Sequence, residues 1–223
     1  MDVISTAHAK CAKINFVFIC FFLFFAGQAF GRTTDPKKAT VDANLLYREH
    51  RYADAVAVCE QNLKRIDPKN VSLLMDNYTV WQRSLIVLSK YSEAIRIGLE
   101  AQKTSKHDYR IIQGLGEAYY LSGNGDQALP YLQRYAALRN SDEYTGRVYY
   151  YMGEIYLRQG LYQHADIAFS TAIYHSPNSY RWWYRLGFTR EMADNKAGAR
   201  QAYEKAFALN PNFIEVRSRL DAL

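Results

Sequence analysis

The chain has 223 residues, of which 49% are hydrophobic and 22% charged, and a formal net charge of +6. That balance excludes a disordered chain and suits one or two globular domains. The positive excess is too small for a protein that tracks nucleic-acid phosphates, and 19 tyrosines call for a structural explanation.

The first predicted element is a targeting segment. Lys10 and Lys13 form a positive flank, and Ile14 to Gly27 is an apolar run broken only by Asn15. Gly27-Gln28-Ala29 follows, with small residues at the two places that signal peptidase reads. This is the layout of a secretory signal peptide over residues 1–29. The run of about 13 residues is roughly 20 Å long as helix, short of a hydrocarbon core of about 30 Å. A periplasmic or secreted protein is expected, with residues 30–35 as a linker; an uncleaved N-terminal membrane anchor is the alternative. Cys20 follows Ile19 in mid-run, which does not suit lipoprotein processing. Cleavage takes away Cys11 and Cys20 and leaves Cys59 alone, so no intramolecular disulfide is available. It also removes Lys10, Lys13 and Asp2, so the charge of +6 falls by two and rises by one, to +5.

The rest of the chain divides into similar units. Residues 36–71 carry Leu46, Tyr52, Ala55, Cys59 and Pro68. Residues 75–108 carry Tyr78, Gln82, Tyr91, Ala94, Gly98 and Ala101. Residues 109–145 carry Leu115, Gly116, Tyr119, Ala128, Leu132 and Tyr135, with three extra residues before the next unit. Between 146–179 and 180–213 the correspondence is close. Gly153 recurs as Gly187, 34 residues on, Phe169 as Tyr203, Ala165 as Ala199, Ala172 as Ala206, and Pro177 as Pro211. Tyr149, Met152 and Tyr156 mark one helical face. Each unit reads as two amphipathic helices joined by a tight turn, with turns at Gly123-Asn124-Gly125, Gln159-Gly160 and Asp194-Asn195. Glycine lets the two helices approach, an aromatic fills the space between them, and proline ends the second helix. Residues 214–223 begin like one more first helix, with Ile214, Val216 and Leu220 apolar, and are expected to cap the stack.

These residues resemble the tetratricopeptide-repeat (TPR) motif over about residues 36–213. The resemblance implies an all-α fold, a right-handed TPR superhelix (α-solenoid) of about five helix-turn-helix repeats with a C-terminal capping helix. Departures are Gln82 and Gly98, where glycine and an aromatic are usual, Cys59 at another aromatic place, and Arg190 where tyrosine is preferred. Pro130 falls inside a second helix and is expected to shorten or kink it, at a cost of about 3 kcal/mol.

The resemblance also implies a concave groove lined by the second, fifth, ninth and twelfth places of each unit. Those places hold Arg110, Gln113, Glu117 and Tyr120, then Arg147, Tyr150, Glu154 and Leu157, then Arg181, Tyr184, Phe188 and Glu191. Arg158 and Arg185 lie beside them. The expectation is a basic, tyrosine-rich groove for a protein or peptide partner, acidic in character. The bland reading is a solvated face on which Glu117 and Glu154 neutralise their neighbours. Some TPR proteins clamp a chaperone's C-terminal carboxylate, but Gln113, Glu117 and Tyr151 stand where that clamp needs lysine and asparagine, so it is not carried over.

No sequence feature points to catalysis, and no cofactor or metal is expected. His8, His50, His107, His164 and His175 are scattered, and no phosphate loop, nucleophile elbow or zinc spacing occurs. The leading function is a non-catalytic interaction scaffold or assembly adaptor in the cell envelope. The alternative is a component of an exopolysaccharide export machine that binds an anionic glycan. Nucleic acid is not an expected partner.

Overall fold

The computed structural model describes residues 42–139, 141 and 143–223. The expected signal peptide 1–29, the linker 30–35 and the first residues of the first unit lie outside the described residues. Eleven helices occur among the described residues: α1 (Ala43–Arg48), α2 (Tyr52–Leu63), α3 (Val71–Val87), α4 (Tyr91–Thr104), α5 (Tyr109–Leu121), α6 (Gly125–Leu138), α7 (Thr145–Arg158), α8 (Tyr162–His175), α9 (Tyr180–Met192), α10 (Lys196–Leu209) and α11 (Ile214–Ala222). Each odd-numbered helix from α1 to α9 packs on the even-numbered helix after it, and each even-numbered helix packs on the odd-numbered helix that follows, α11 closing the series on α10. The first helices α1, α3, α5 and α7 also touch one another in succession, so they share one face.

The turn inside every pair is built the same way. One residue takes a left-handed backbone: His50, Ser89, Gly123, Gly160 and Asp194, with φ between 57° and 86°. The amide of the residue after it donates back to a carbonyl five residues earlier, as from Asn124 to Tyr119 and from Leu161 to Tyr156, both 2.9 Å. This satisfies carbonyls that the end of a helix leaves without partners.

Packing within a pair follows a knob-and-hole rule at a spacing of 16 residues. A Cβ placed on Gly153 would lie 2.8 Å from the Phe169 ring, and one on Gly187 would lie 2.6 Å from the Tyr203 ring. Gly116 faces Leu132 in the same manner, 2.7 Å away. Phe169 and Tyr203 are wholly buried, and a side chain of that size contributes about 1.5–3 kcal/mol. In the second pair the roles are exchanged. The large residue is Gln82 on α3 and the hole is Gly98 on α4, where a Cβ would lie 2.2 Å from Gln82 Nε2. Gln82 also leans on Gly114 of α5, and its Nε2 donates to the Ala94 carbonyl at 3.4 Å. In the first pair the same two places hold small residues, Ala43 and Cys59, both buried. Burial pushes the Cys59 thiol up to about 12, so it stays protonated and serves as core.

Two expectations are revised here. Pro130 does not shorten α6, which runs 14 residues like α8 and α10. Pro130 is exposed in the second turn, and the carbonyl it leaves without a donor belongs to exposed Asp126. Pro130→Ala restores that hydrogen bond and is expected to raise the melting temperature. The gain is at most about 3 kcal/mol, or several degrees by circular dichroism. In α11, Val216 is buried beside Tyr203, whereas Ile214 at the first position is 76% exposed.

Candidate partner-binding face

The first helices carry the side chains that were expected to meet a partner. Because successive first helices lie side by side, a residue of one pair meets a residue about one repeat further along the chain. Arg110 of α5 reaches Asp76 of α3 at 2.6 Å and Asp108 at 2.7 Å. Glu117 of α5 accepts from Tyr151 Oη of α7 at 3.1 Å and from Gln113 Nε2 at 2.5 Å, with Arg147 3.7 Å away. Glu154 of α7 takes one edge of the Arg185 guanidinium of α9 with both oxygens, Oε1 on Nε and Oε2 on Nη2, the latter at 2.8 Å. Glu191 of α9 accepts from Tyr203 Oη at 2.6 Å and from Arg219 Nη1 of α11 at 2.8 Å. These carboxylates therefore tie one helix pair to the next.

The ties change what the face presents. Gln113 is 3% exposed and Glu117 9%, so both are occupied inside the structure and do not face solvent. Arg110, Glu154 and Arg185 are held in ion pairs. Tyr150 is half-buried, stacked on Trp182 and tilted against Phe169. Tyr184 packs between Tyr203 and Phe213. Phe188 lies under Arg185 and Arg219. The accessible cations are Arg147, Arg158 and Arg181. Each is laid over a tyrosine: Arg147 over Tyr144 at 5.3 Å, Arg158 over Tyr120 at 5.2 Å, and Arg181 over Tyr180 at 5.4 Å. A guanidinium stacked on a ring keeps its donor edge outward and loses little freedom on binding.

Sequence reasoning passed over several residues of this face. Asp76 and Arg83 occupy the second and ninth places of the 75–108 unit, and the same place rule applied one unit earlier finds both. Tyr144 precedes α7 in the connection from α6, which has six residues where the α4–α5 and α8–α9 connections have four. The extra length supplied a signal; the identity of its contacts did not appear in the repeat pattern.

Burial and neighbouring carboxylates raise several tyrosine hydroxyls above their ordinary pKa of 10. For Tyr151 burial leads, then Glu117; for Tyr150 burial leads, then Glu154; for Tyr203 burial leads, then the hydrogen bond to Glu191. The folded state therefore holds protons that the unfolded chain releases above pH 10. The stability they contribute is complete below pH 10 and is lost as pH rises through the higher folded range. Melting temperature is expected to fall steeply above pH 10, and a Tyr151→Phe, Tyr203→Phe variant to show a shallower fall. Equal slopes for the two proteins would dismiss this account.

No protein-family model and no curated protein sequence matches the chain. Solved structures do. YrrB, described as a TPR protein with an unusual peptide-binding site, superposes with a TM-score of 0.66 at 22% identity over 79% of this chain and 87% of its own. A structure of MamA gives 0.66 at 18% identity over 80% of this chain and 99% of its own. The chain has the TPR fold. A second MamA structure agrees, at 0.64 and 19% identity over 78% and 90%. The 16-residue knob-and-hole spacing and the left-handed turn residue in each pair are the physical basis of this TPR stack.

Proposed function

We propose that this chain is a non-catalytic TPR scaffold of the cell envelope, holding a peptide or protein segment on its first-helix face. The observation that carries the reading is the set of accessible arginines backed by tyrosines, Arg147 on Tyr144, Arg158 on Tyr120 and Arg181 on Tyr180. Such a face offers rigid aromatic area and outward donor edges, which suits acidic or carboxylate-bearing partners. The peptide-binding site named for YrrB supports the reading by analogy of fold. The envelope location rests on the charged flank, apolar run and small-residue site within residues 1–29.

Photocrosslinking in the native host tests the face. A photoreactive residue is placed at position 158 or 181, and at position 174 on the second-helix side, where Tyr174 is 83% exposed. A discrete protein adduct at 158 and 181 and not at 174 is expected. The same adduct at all three positions, or none at the first two, removes the proposed face. Sequencing the mature N-terminus from an osmotic-shock fraction checks the export proposal: a start at residue 30 supports it, and a chain beginning at Met1 in the membrane fraction favours the anchor.

A further inference from the structure

One cleft on the first-helix face has a surplus of positive charge that the structure does not use. It measures about 70 Å³ and is walled by Tyr47 of α1, Arg83 of α3, Gln113 and Glu117 of α5, and Tyr144 and Arg147 at the start of α7. Four helix pairs thus contribute to it. Arg83 lies over the Tyr144 ring at 4.8 Å, and Arg147 over the same ring at 5.3 Å. Glu117 answers Arg147 at 3.7 Å but already accepts from Gln113 and Tyr151. Among the described residues Arg83 forms no ion pair, and its Nε is sealed from solvent with no hydrogen-bond acceptor. The two Nη groups are not sealed in this way, and they are the donors that an anion in the cleft would meet, on a half-buried charge with no counter-ion of its own. The ring that holds both arginines comes from the longer α6–α7 connection, so the cleft owes its aromatic wall to the one irregularity between the third and fourth pairs.

We infer that this cleft anchors a single carboxylate of an acidic peptide, taken by Arg83 and Arg147 between the walls of Tyr47 and Tyr144. The inference rests on the proposed peptide-binding role of the face and names one subsite of it. Charge selects the ligand. The cleft, about 70 Å³, has room for a carboxylate group. Two arginines against Glu117 leave one positive charge, which matches a monoanion. A phosphate group carries about −1.5 to −2 and would meet Glu117 on the same wall.

The test is selection of random dodecapeptides displayed on phage, in one library with the peptide internal and in another with a free C-terminus. Targets are the folded chain and its Arg83→Gln and Arg147→Gln variants. Arg147 is 44% exposed on its side chain, so the second variant keeps the test open if the first fails to fold. The wild-type chain is expected to enrich peptides with Asp or Glu at one constant place. A synthetic peptide of the leading sequence should then bind each variant at least about ten-fold more weakly by fluorescence anisotropy. Replacing its acidic residue with the amide should remove the difference between wild type and variants. Loss of binding on C-terminal amidation assigns the carboxylate to the chain end; retention assigns it to a side chain. An acidic consensus recovered unchanged on both variants, or a consensus without an acid, overturns the subsite. If binding then depends on Tyr120 and Arg158, the peptide-binding face survives without it. No enrichment from either library overturns both, and Arg83-dependent binding of oligogalacturonate in its place moves the site to glycans.

Discussion

Gly98→Phe is expected to unfold the second and third helix pairs, and Gln82→Gly in the same chain to restore most of the loss. In the third, fourth and fifth pairs the large side chain stands on the second helix and glycine on the first. The second pair reverses this with Gln82 and Gly98. A Cβ at position 98 would already lie 2.2 Å from Gln82 Nε2 and 2.7 Å from Leu115 Cδ2. A whole ring there cannot be absorbed by a small rotation, and the cost exceeds the about 1–3 kcal/mol typical of overpacking. At about 2–4 °C per kcal/mol for a chain of this size, the melting temperature should drop by 10 °C or more. Gln82→Gly alone leaves a hole and puts glycine in mid-helix, at about 2–5 kcal/mol. Together the two changes rebuild the arrangement of Gly153 with Phe169, provided Leu115 turns out of the shared space. Removing Gln82 also removes a wholly buried amide whose Oε1 has no partner among the described residues. Thermal melts of the two single variants and the double one decide the matter. A double variant no more stable than Gly98→Phe would show that the two places do not exchange roles.

The second large effect is at the tie between the fourth and fifth pairs. Glu154→Ala is expected to cost about 2–3 kcal/mol and to lower the melting temperature by about 5–10 °C. Glu154 and Arg185 have side chains only 12% and 25% exposed, and both carboxylate oxygens bind one edge of the guanidinium, through Nε and Nη2. Removing the carboxylate leaves a mostly buried cation over Phe188 with no anion. The figure sits below that for a fully buried pair because a quarter of the arginine reaches water. Glu154→Leu with Arg185→Met should recover most of the loss, since removing both charges leaves nothing to desolvate. Added salt should change the wild-type melting temperature little, as buried pairs are poorly screened. A loss under about 0.5 kcal/mol for Glu154→Ala would class the pair with ordinary surface bridges.

The same contact shows where sequence reasoning about the face reached its end. Arginine at the second place in three successive units is legible as a pattern, and it suggested a basic groove. The pattern does not say what each guanidinium meets. Arg110 finds Asp76 and Asp108, whereas Arg181 lies on Tyr180 with its outer edge free. Gln82 and Gly98 are similar. Each read as a departure from the repeat, and their compensation became visible only when α3, α4 and α5 were placed against one another.

What the sequence determined by itself is local and periodic. Helix amphipathicity, the 34-residue spacing, the glycine and aromatic places and the turn residues all act within about one helix pair, where neighbours in space are also near in the chain. The apolar run of residues 1–29 belongs to this class too, because its chemistry is that of a single segment. What only the tertiary structure decided depends on which side chains meet across helices: that Gln82 fills the place of an aromatic ring against Gly98, and, between pairs, which carboxylate neutralises which arginine and that Tyr47, Arg83, Tyr144 and Arg147 wall one cleft. The partners that belong to different pairs, such as Glu154 with Arg185 or Tyr47 with Arg147, are about 30 to 100 residues apart in the chain and are joined only because stacked first helices bring them to within a few ångströms.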